Sequence, residues 1–195
     1  MGGVSPLWRA RPLSRAFYAR STEQVARELL GKIIVRRLDE TVLAGRIIET
    51  EAYLGGDDEA AHSYAGLTDR TRVIFGPPGH AYVYLRYGLH RCLNFVAEEA
   101  GKPGCVLIRA LEPLAGLEEM RRRRPKARTD ADLASGPGKL TAALGITLDD
   151  YGANLTRGSL TVHAPHSASL FDVEVTQRVG ISKSVDLPLR FVLRD

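Results

Sequence analysis

A chain of 195 residues, 44% apolar and 26% charged, is long enough for one packed domain and too apolar for wholesale disorder. No apolar stretch approaches the roughly 18 residues of a membrane-spanning helix, and there is no signal-peptide core, so a cytoplasmic protein without membrane contact is expected. The formal charge is only +4, yet its cations are clustered, and clustered cations either face solvent or meet a polyanion.

Residues 1–20 hold Arg9, Arg11, Arg15 and Arg20, no acid and no periodicity. They read as a flexible basic arm ahead of one domain over 21–195. An organelle transit peptide would have a similar composition, but a loose arm is the simpler reading. In "STEQVARELLG", Ser21 and Gln24 fit a capping box, Val25, Leu29 and Leu30 form an apolar stripe, and Gly31 ends the helix. "KIIVRRL" and "TVLAGRIIETEAY" flank a polar pair and predict a hairpin. Residues 55–80 are rich in Gly, Pro, Asp and Thr and read as a long functional loop. "AYVYLRYGLHRCLNFVA" predicts a second hairpin with Tyr87 and Gly88 at its tip, and "GCVLIRALEP" a strand ended by Pro113. "LAGLEEMRRRR" and "SGPGKLTAALGI" read as helices, the first leading into a basic run that continues to Arg128. "SLTVHA", "FDVEVTQ" and "LPLRFVL" read as strands. Hairpins outnumber strand–helix–strand units, which predicts an α+β domain on a mostly antiparallel, curved sheet with surrounding helices.

Side chains alternate along a strand, so Ile47, Glu49, Glu51 and Tyr53 are expected on one face, the two carboxylates about 7 Å apart. Such a face is either solvated or functional. Arg109 interrupts an equally apolar strand, and a buried guanidinium needs an acid partner, for which Glu51 is the natural candidate. The pair is either a structural ion pair or a carboxylate held ionised so that it can orient a water. Tyr82 and Tyr84 share a face, as packing or as a stacking platform for a base. Tyr87 at a hairpin tip has the form of a wedge into DNA, and Asn94 either satisfies a backbone group or reads a base edge. "GPGKLT" is no phosphate loop, because Leu133 and Leu140 stand where Gly and Ser or Thr are needed; Lys139 there can meet a DNA phosphate instead. Cys92 and Cys105 lack metal-ligand spacing and read as two buried thiols, and His163 and His166 are too isolated for a metal.

"RIIETEAYLG", "DEAAHS", "FGPPGHAYVYLRYGLH", "CLNF", "CVLIRALEPL", "SGPGKL", "RVGI" and "LPLRF" run in order from about residue 21 to the C-terminus, and in this the sequence resembles the alkyladenine (3-methyladenine) DNA glycosylase family. The resemblance implies hydrolysis of the N-glycosidic bond of damaged purines flipped from duplex DNA, with 3-methyladenine, 7-methylguanine, hypoxanthine and ethenoadenine as the substrate class. It implies a monomer without metal or cofactor, and hydrolysis without strand cleavage. Glu51 would activate water, which Arg109 and the main-chain carbonyl of Ile181 would help to hold. Tyr53, His62 and Tyr84 would enclose the base beside Tyr82, Tyr87 would fill the gap in the duplex, and Asn94 would crowd the 2-amino group of guanine. Gly56 in place of a proline, a looser "GLTDRTRV", and His90 with Arg91 beside the wedge depart from the family pattern and bear on damage specificity and strand grip. Two other readings fit fewer features: an O-glycoside hydrolase using Glu49 and Glu51, and a non-catalytic DNA-binding protein.

Overall fold

The computed structural model describes residues 8–167 and 170–194. Its frame is a curved, open antiparallel sheet that, among the described residues, has nine strands: β1 (Trp8–Pro12), β2 (Ile33–Leu38), β3 (Thr41–Leu54), β4 (Ala81–Arg86), β5 (His90–Val96), β6 (Gly104–Ala115), β7 (Leu160–Pro165), β8 (Asp172–Thr176) and β9 (Arg190–Arg194). The order is β1-β7-β2-β3-β6-β5-β4, and β9 pairs with both β3 and β8. Four α-helices accompany it: α1 (Arg15–Tyr18), α2 (Thr22–Leu29), α3 (Leu117–Arg123) and α4 (Pro137–Ala143). The expected α+β class holds, and both local hairpins form with their strands in direct succession. No helix among the described residues is long and apolar enough to cross a membrane.

Order begins well before residue 21, which corrects the loose arm for residues 8–20; residues 1–7 lie outside the described residues. Trp8 and Pro12 pair with Pro165 and His163 of β7. Only Trp8 of that strand is buried, and an edge strand buries too little to show an apolar period. Tyr18 is wholly buried and meets Phe95 edge-on at 6.4 Å, anchoring α1 to the core. At Ser21 the cap is half of the expected box: Ser21 Oγ accepts the Gln24 N–H, while the Gln24 side chain donates instead to Glu28. Pro113 does not end its strand. It sits opposite Gly45 where the register shifts, and an irregular pair tolerates a residue without an N–H.

The central strand, β3, is 14 residues long and contacts three partners. Its first half pairs with β2, Ala44–Leu54 with β6, and Glu49–Glu51 with β9. Its register against β6 slips on either side of Glu49. The slip corrects the expectation that Ile47 shares a face with the two glutamates: Ile47 lies in the main core with Leu43 and Ala52, while Glu49 and Glu51 point away. The helices cover one face of the sheet. Val25, Ala26 and Leu29 of α2 and Leu140, Ala143 and Leu144 of α4 meet Ala52, Val106, Ile108 and Phe95 there. Each fully buried Val, Leu, Ile or Phe among them contributes about 1.5–3 kcal/mol of transfer free energy. Thr50 belongs to this face too and donates its hydroxyl proton to the Ala26 carbonyl. The opposite face of β3, β6, β5 and β4 carries no α-helix. A smaller cluster of Ile74, Tyr82, Val96 and Cys105 lies there, edged by Tyr53 and Tyr84. It is covered by the loop after β3, which contains short 3-10 turns at His62–Ala65 and Arg72–Phe75.

Candidate active site

Alternation on these strands brings the chemistry-bearing residues to the helix-free face. They surround a cavity of about 440 Å³ whose wall includes Tyr53, His62, Tyr82, Tyr84, Asn94 and Ile181. Five parts of the fold converge on it: β3, the β4–β5 hairpin, β6 through Cys105, the loop at His62 and the segment before β9. Tyr82 and Tyr84 stack with centroids 5.3 Å apart, and the His62 ring meets Tyr84 edge-on at 4.5 Å. His62 Nδ1 lies 2.8 Å from the Tyr82 hydroxyl. Burial, followed by the nearby Arg70 and Arg86 guanidinium groups, lowers the His62 pKa to about 4, so the imidazole is neutral at pH 7. Burial also raises Tyr82, to about 12, and Tyr84 further, so both phenols keep their protons. Asn94 is buried, and its Nδ2 donates to the Tyr82 carbonyl at 3.1 Å, the backbone role weighed for it above.

Glu51 lies immediately behind Tyr53 and is completely buried. Its Oε2 accepts the Tyr53 hydroxyl at 2.9 Å, its Oε1 accepts the Val179 N–H at 2.7 Å, and Arg109 Nη1 stands 3.2 Å from Oε1. The predicted Glu51–Arg109 pair is therefore present, but it is not the closest contact of Arg109. Arg109 Nε donates to Glu49 Oε1 at 2.7 Å, and the same oxygen accepts Arg190 Nε at 2.7 Å. Burial opposes the charge of Arg109, but the Glu51 and Glu49 carboxylates outweigh it and leave its pKa raised. Burial first, and the Glu51 charge second, likewise raises Tyr53 and keeps it a hydrogen-bond donor.

A second buried ion pair braces the first. Arg178 donates to both oxygens of Asp58, at 2.6 and 2.8 Å, and to the Ala52 carbonyl at 3.0 Å. Its guanidinium carbon lies 4.7 Å from the Tyr53 ring centroid. Asp58 in turn accepts the Leu54 and Ala60 N–H groups. Reading the sequence missed Arg178, Asp58 and Arg190. The signal that exposed Arg109, a cation in an apolar strand, was also present at Arg190 in "LPLRFVL".

Tyr87 projects from the β4–β5 tip, 81% exposed. It has φ +52° and Gly88 φ +68°, successive left-handed residues in the three-residue loop that joins the paired Arg86 and His90. Arg86 Nη2 donates to the Gly180 carbonyl at 2.8 Å, tying this tip to the segment that carries Ile181. Lys139 lies outside the cavity, where its Nζ donates to Ser135 Oγ at 2.8 Å. Half of the dense basic run has acid partners: Arg121 pairs with Asp130, and Arg122 and Arg123 share Glu119. Cys92 and Cys105 are free and buried. Among the described residues no cluster of three or more His, Cys, Asp or Glu could hold a metal ion.

The arrangement provides an aromatic slot, a neutral imidazole and a buried carboxylate beside a cation. Together these can hold a flat heterocycle and act on a water or a developing positive charge next to it. Comparison with known proteins bears on which heterocycle. Residues 16–195 match the family model described as methylpurine-DNA glycosylase. A protein of Methanoculleus marisnigri is 54% identical over 187 residues, covering 93% of this chain and 95% of its own. One of Koribacter versatilis is 48% identical, covering 97% and 93%, and one of Carboxydothermus hydrogenoformans 45%, covering 94% and 95%. All three bear the name "Putative 3-methyladenine DNA glycosylase".

Proposed function

Because the chain belongs to the methylpurine-DNA glycosylase family, we propose that it removes damaged purines from duplex DNA by hydrolysis, with Glu51 as general base and the tyrosine cavity as receptor for the extruded base. The observation that carries this reading is the position of Glu51: a buried carboxylate paired with Arg109 directly behind the aromatic wall. A carboxylate has about four acceptor positions, and Val179 N–H, Tyr53 O–H and Arg109 occupy three. The fourth receives the attacking water, with Arg109 and the Ile181 carbonyl as its other supports.

In this reaction the C1′–N bond breaks and its electron pair leaves with the purine. The sugar carbon becomes cationic, and the Glu51 carboxylate stabilises that charge at close range. Water oxygen then bonds to C1′ and its proton passes to Glu51. A methylpurine such as 3-methyladenine is already cationic, so the departing pair neutralises it and no acid is needed. A neutral His62 suits that substrate, since an imidazolium at the wall would repel a cationic base. Tyr53, Tyr84 and His62 enclose the base, Asn94 borders it, and Tyr87 fills the gap in the stack. Hypoxanthine and ethenoadenine belong to the same shape class and complete the proposed range.

The test uses duplex oligonucleotides carrying 7-methylguanine, hypoxanthine or 1,N6-ethenoadenine, followed by hot alkali to cut abasic sites. Cleavage after alkali and none before it is the expected result. Intact strands with every lesion would sink the enzymatic reading, and cuts without alkali would show a lyase. Cleavage confined to 7-methylguanine would restrict the range to methylpurines.

A further inference from the structure

Glu49 has no part in the chemistry just described, yet it joins two arginines of the site. Its Oε1 takes two charged hydrogen bonds of 2.7 Å, from Nε of Arg109 on β6 and Nε of Arg190 on β9. The register slip against β6 on either side of Glu49 turns it toward these strands. The guanidinium of Arg109 is therefore shared, Nε on Glu49 and Nη1 facing Glu51 at 3.2 Å. A guanidinium is a rigid planar fork, so fixing Nε limits how the rest can turn. An arginine free to rotate would satisfy a lone carboxylate with two parallel N–H bonds, the strongest geometry open to it. Such a clamp on Glu51 would cover the acceptor positions a water needs.

We propose that Glu49, itself held by Arg190, is a positioning residue: it draws the Arg109 fork away from Glu51, so that Glu51 receives one end of the cation and keeps a lone pair for water. The role rests on the reading of Glu51 as general base, and it makes β9 a functional strand as well as a structural one.

The experiment is single-turnover excision of 7-methylguanine from duplex DNA, with lesion-DNA Kd measured in parallel, by the intact protein and its variants. Glu49→Ala should slow excision about tenfold or more with Kd unchanged, since small misplacements of a reacting group cost this much. Glu49→Gln keeps an acceptor oxygen at the same reach and should recover most of the rate. In a double-mutant cycle, Glu49→Ala added to Arg109→Ala should cost nothing further, because Glu49 acts only through Arg109. Should Glu49→Ala not fold, Glu49→Gln and Arg190→Gln carry the same cycle; each should slow excision less and add nothing once Arg109 is gone. A Glu49→Ala rate within twofold of wild type, a fall in rate matched by a loss of binding, failure of Glu49→Gln to recover, or additive losses in the cycle would each overturn the proposal. Glu51→Gln separates the two readings. If it retains activity, the assignment of the base fails; if it is inactive while the cycle is additive, only the role of Glu49 fails.

Discussion

Two of the protein's arginine–carboxylate sites, whose acids lie a few residues apart in sequence, are built on opposite principles. Arg178 and Asp58 form a closed pair: both oxygens of the acid are engaged by one guanidinium, two backbone N–H groups complete it, and both side chains are out of solvent. Arg109 is in an open arrangement, divided between Glu49 and Glu51, with Glu49 divided again between Arg109 and Arg190. Closed geometry spends both oxygens of the acid and both terminal nitrogens of the guanidinium on structure. Divided geometry leaves valence over for a substrate. The difference predicts stability from one site and reactivity from the other, and it can be attacked from both sides.

The largest effect is expected at the open site. Glu51→Gln should reduce excision about 10³-fold, the range of a lost general base, while melting temperature changes little. A melting temperature that collapses with the rate would erase the distinction between the sites. At the closed site, Asp58→Ala leaves a buried guanidinium without its acid and should cost about 3–5 kcal/mol in denaturant unfolding. Unfolding unchanged within 1 kcal/mol would show the pair to be dispensable. Tyr87→Ala, outside both sites, should weaken affinity for lesion duplexes by about tenfold and leave stability alone, in keeping with a stacking contact of about 1–3 kcal/mol. Equal affinity would remove the wedge from the account.

Acid gives the smallest and most discriminating test. The folded His62 pKa of about 4 lies below the ordinary 6.5, so the unfolded chain takes up the proton first. Its contribution to stability is whole above about pH 6.5 and is lost as pH falls from there toward 4. Asp58 is shifted the same way: burial pushes its pKa up, but Arg178 outweighs that and holds it below 3.8. Its stabilisation is whole above pH 3.8 and is lost only as pH falls further. Melting temperature should therefore decline first over the His62 window, less steeply in His62→Gln, with the closed pair yielding at lower pH. Identical profiles for wild type and His62→Gln would refute the assignment.

What could be read from sequence followed the range of the forces involved. The two hairpins declared themselves because strands and turn are adjacent and the apolar alternation is local, as in Tyr82–Gly88. Glu51 and Arg109 stood out because charge inside an apolar strand demands a partner wherever that partner comes from. The slip at Glu49 was invisible, since it exists only when β3 lies against β6. Ile47 was misplaced for that reason. The strand at Trp8 was hidden because an edge buries one side chain in five. The arginine run over 121–124 was plain as charge but its partners were not: Glu119 and Asp130 set two carboxylates against its four guanidinium groups. Arg70, Arg86 and Lys183, far apart in sequence, are the cations on the cavity wall.

The pairing of β3 with β9 also sets a schedule for synthesis. Glu49 meets Arg190 across 141 positions and Glu51 meets Val179 across 128. A ribosome adding about 5–20 residues per second needs roughly 7–30 s to span that interval. Through about the last two-thirds of that time the tyrosine hairpin, which ends at Val96, is already made, while the carboxylates still lack their last two anchors. A nascent chain can thus assemble its receptor for a base well before it can assemble the centre that would act on one, and the ability to break a glycosidic bond is conferred by the final strand.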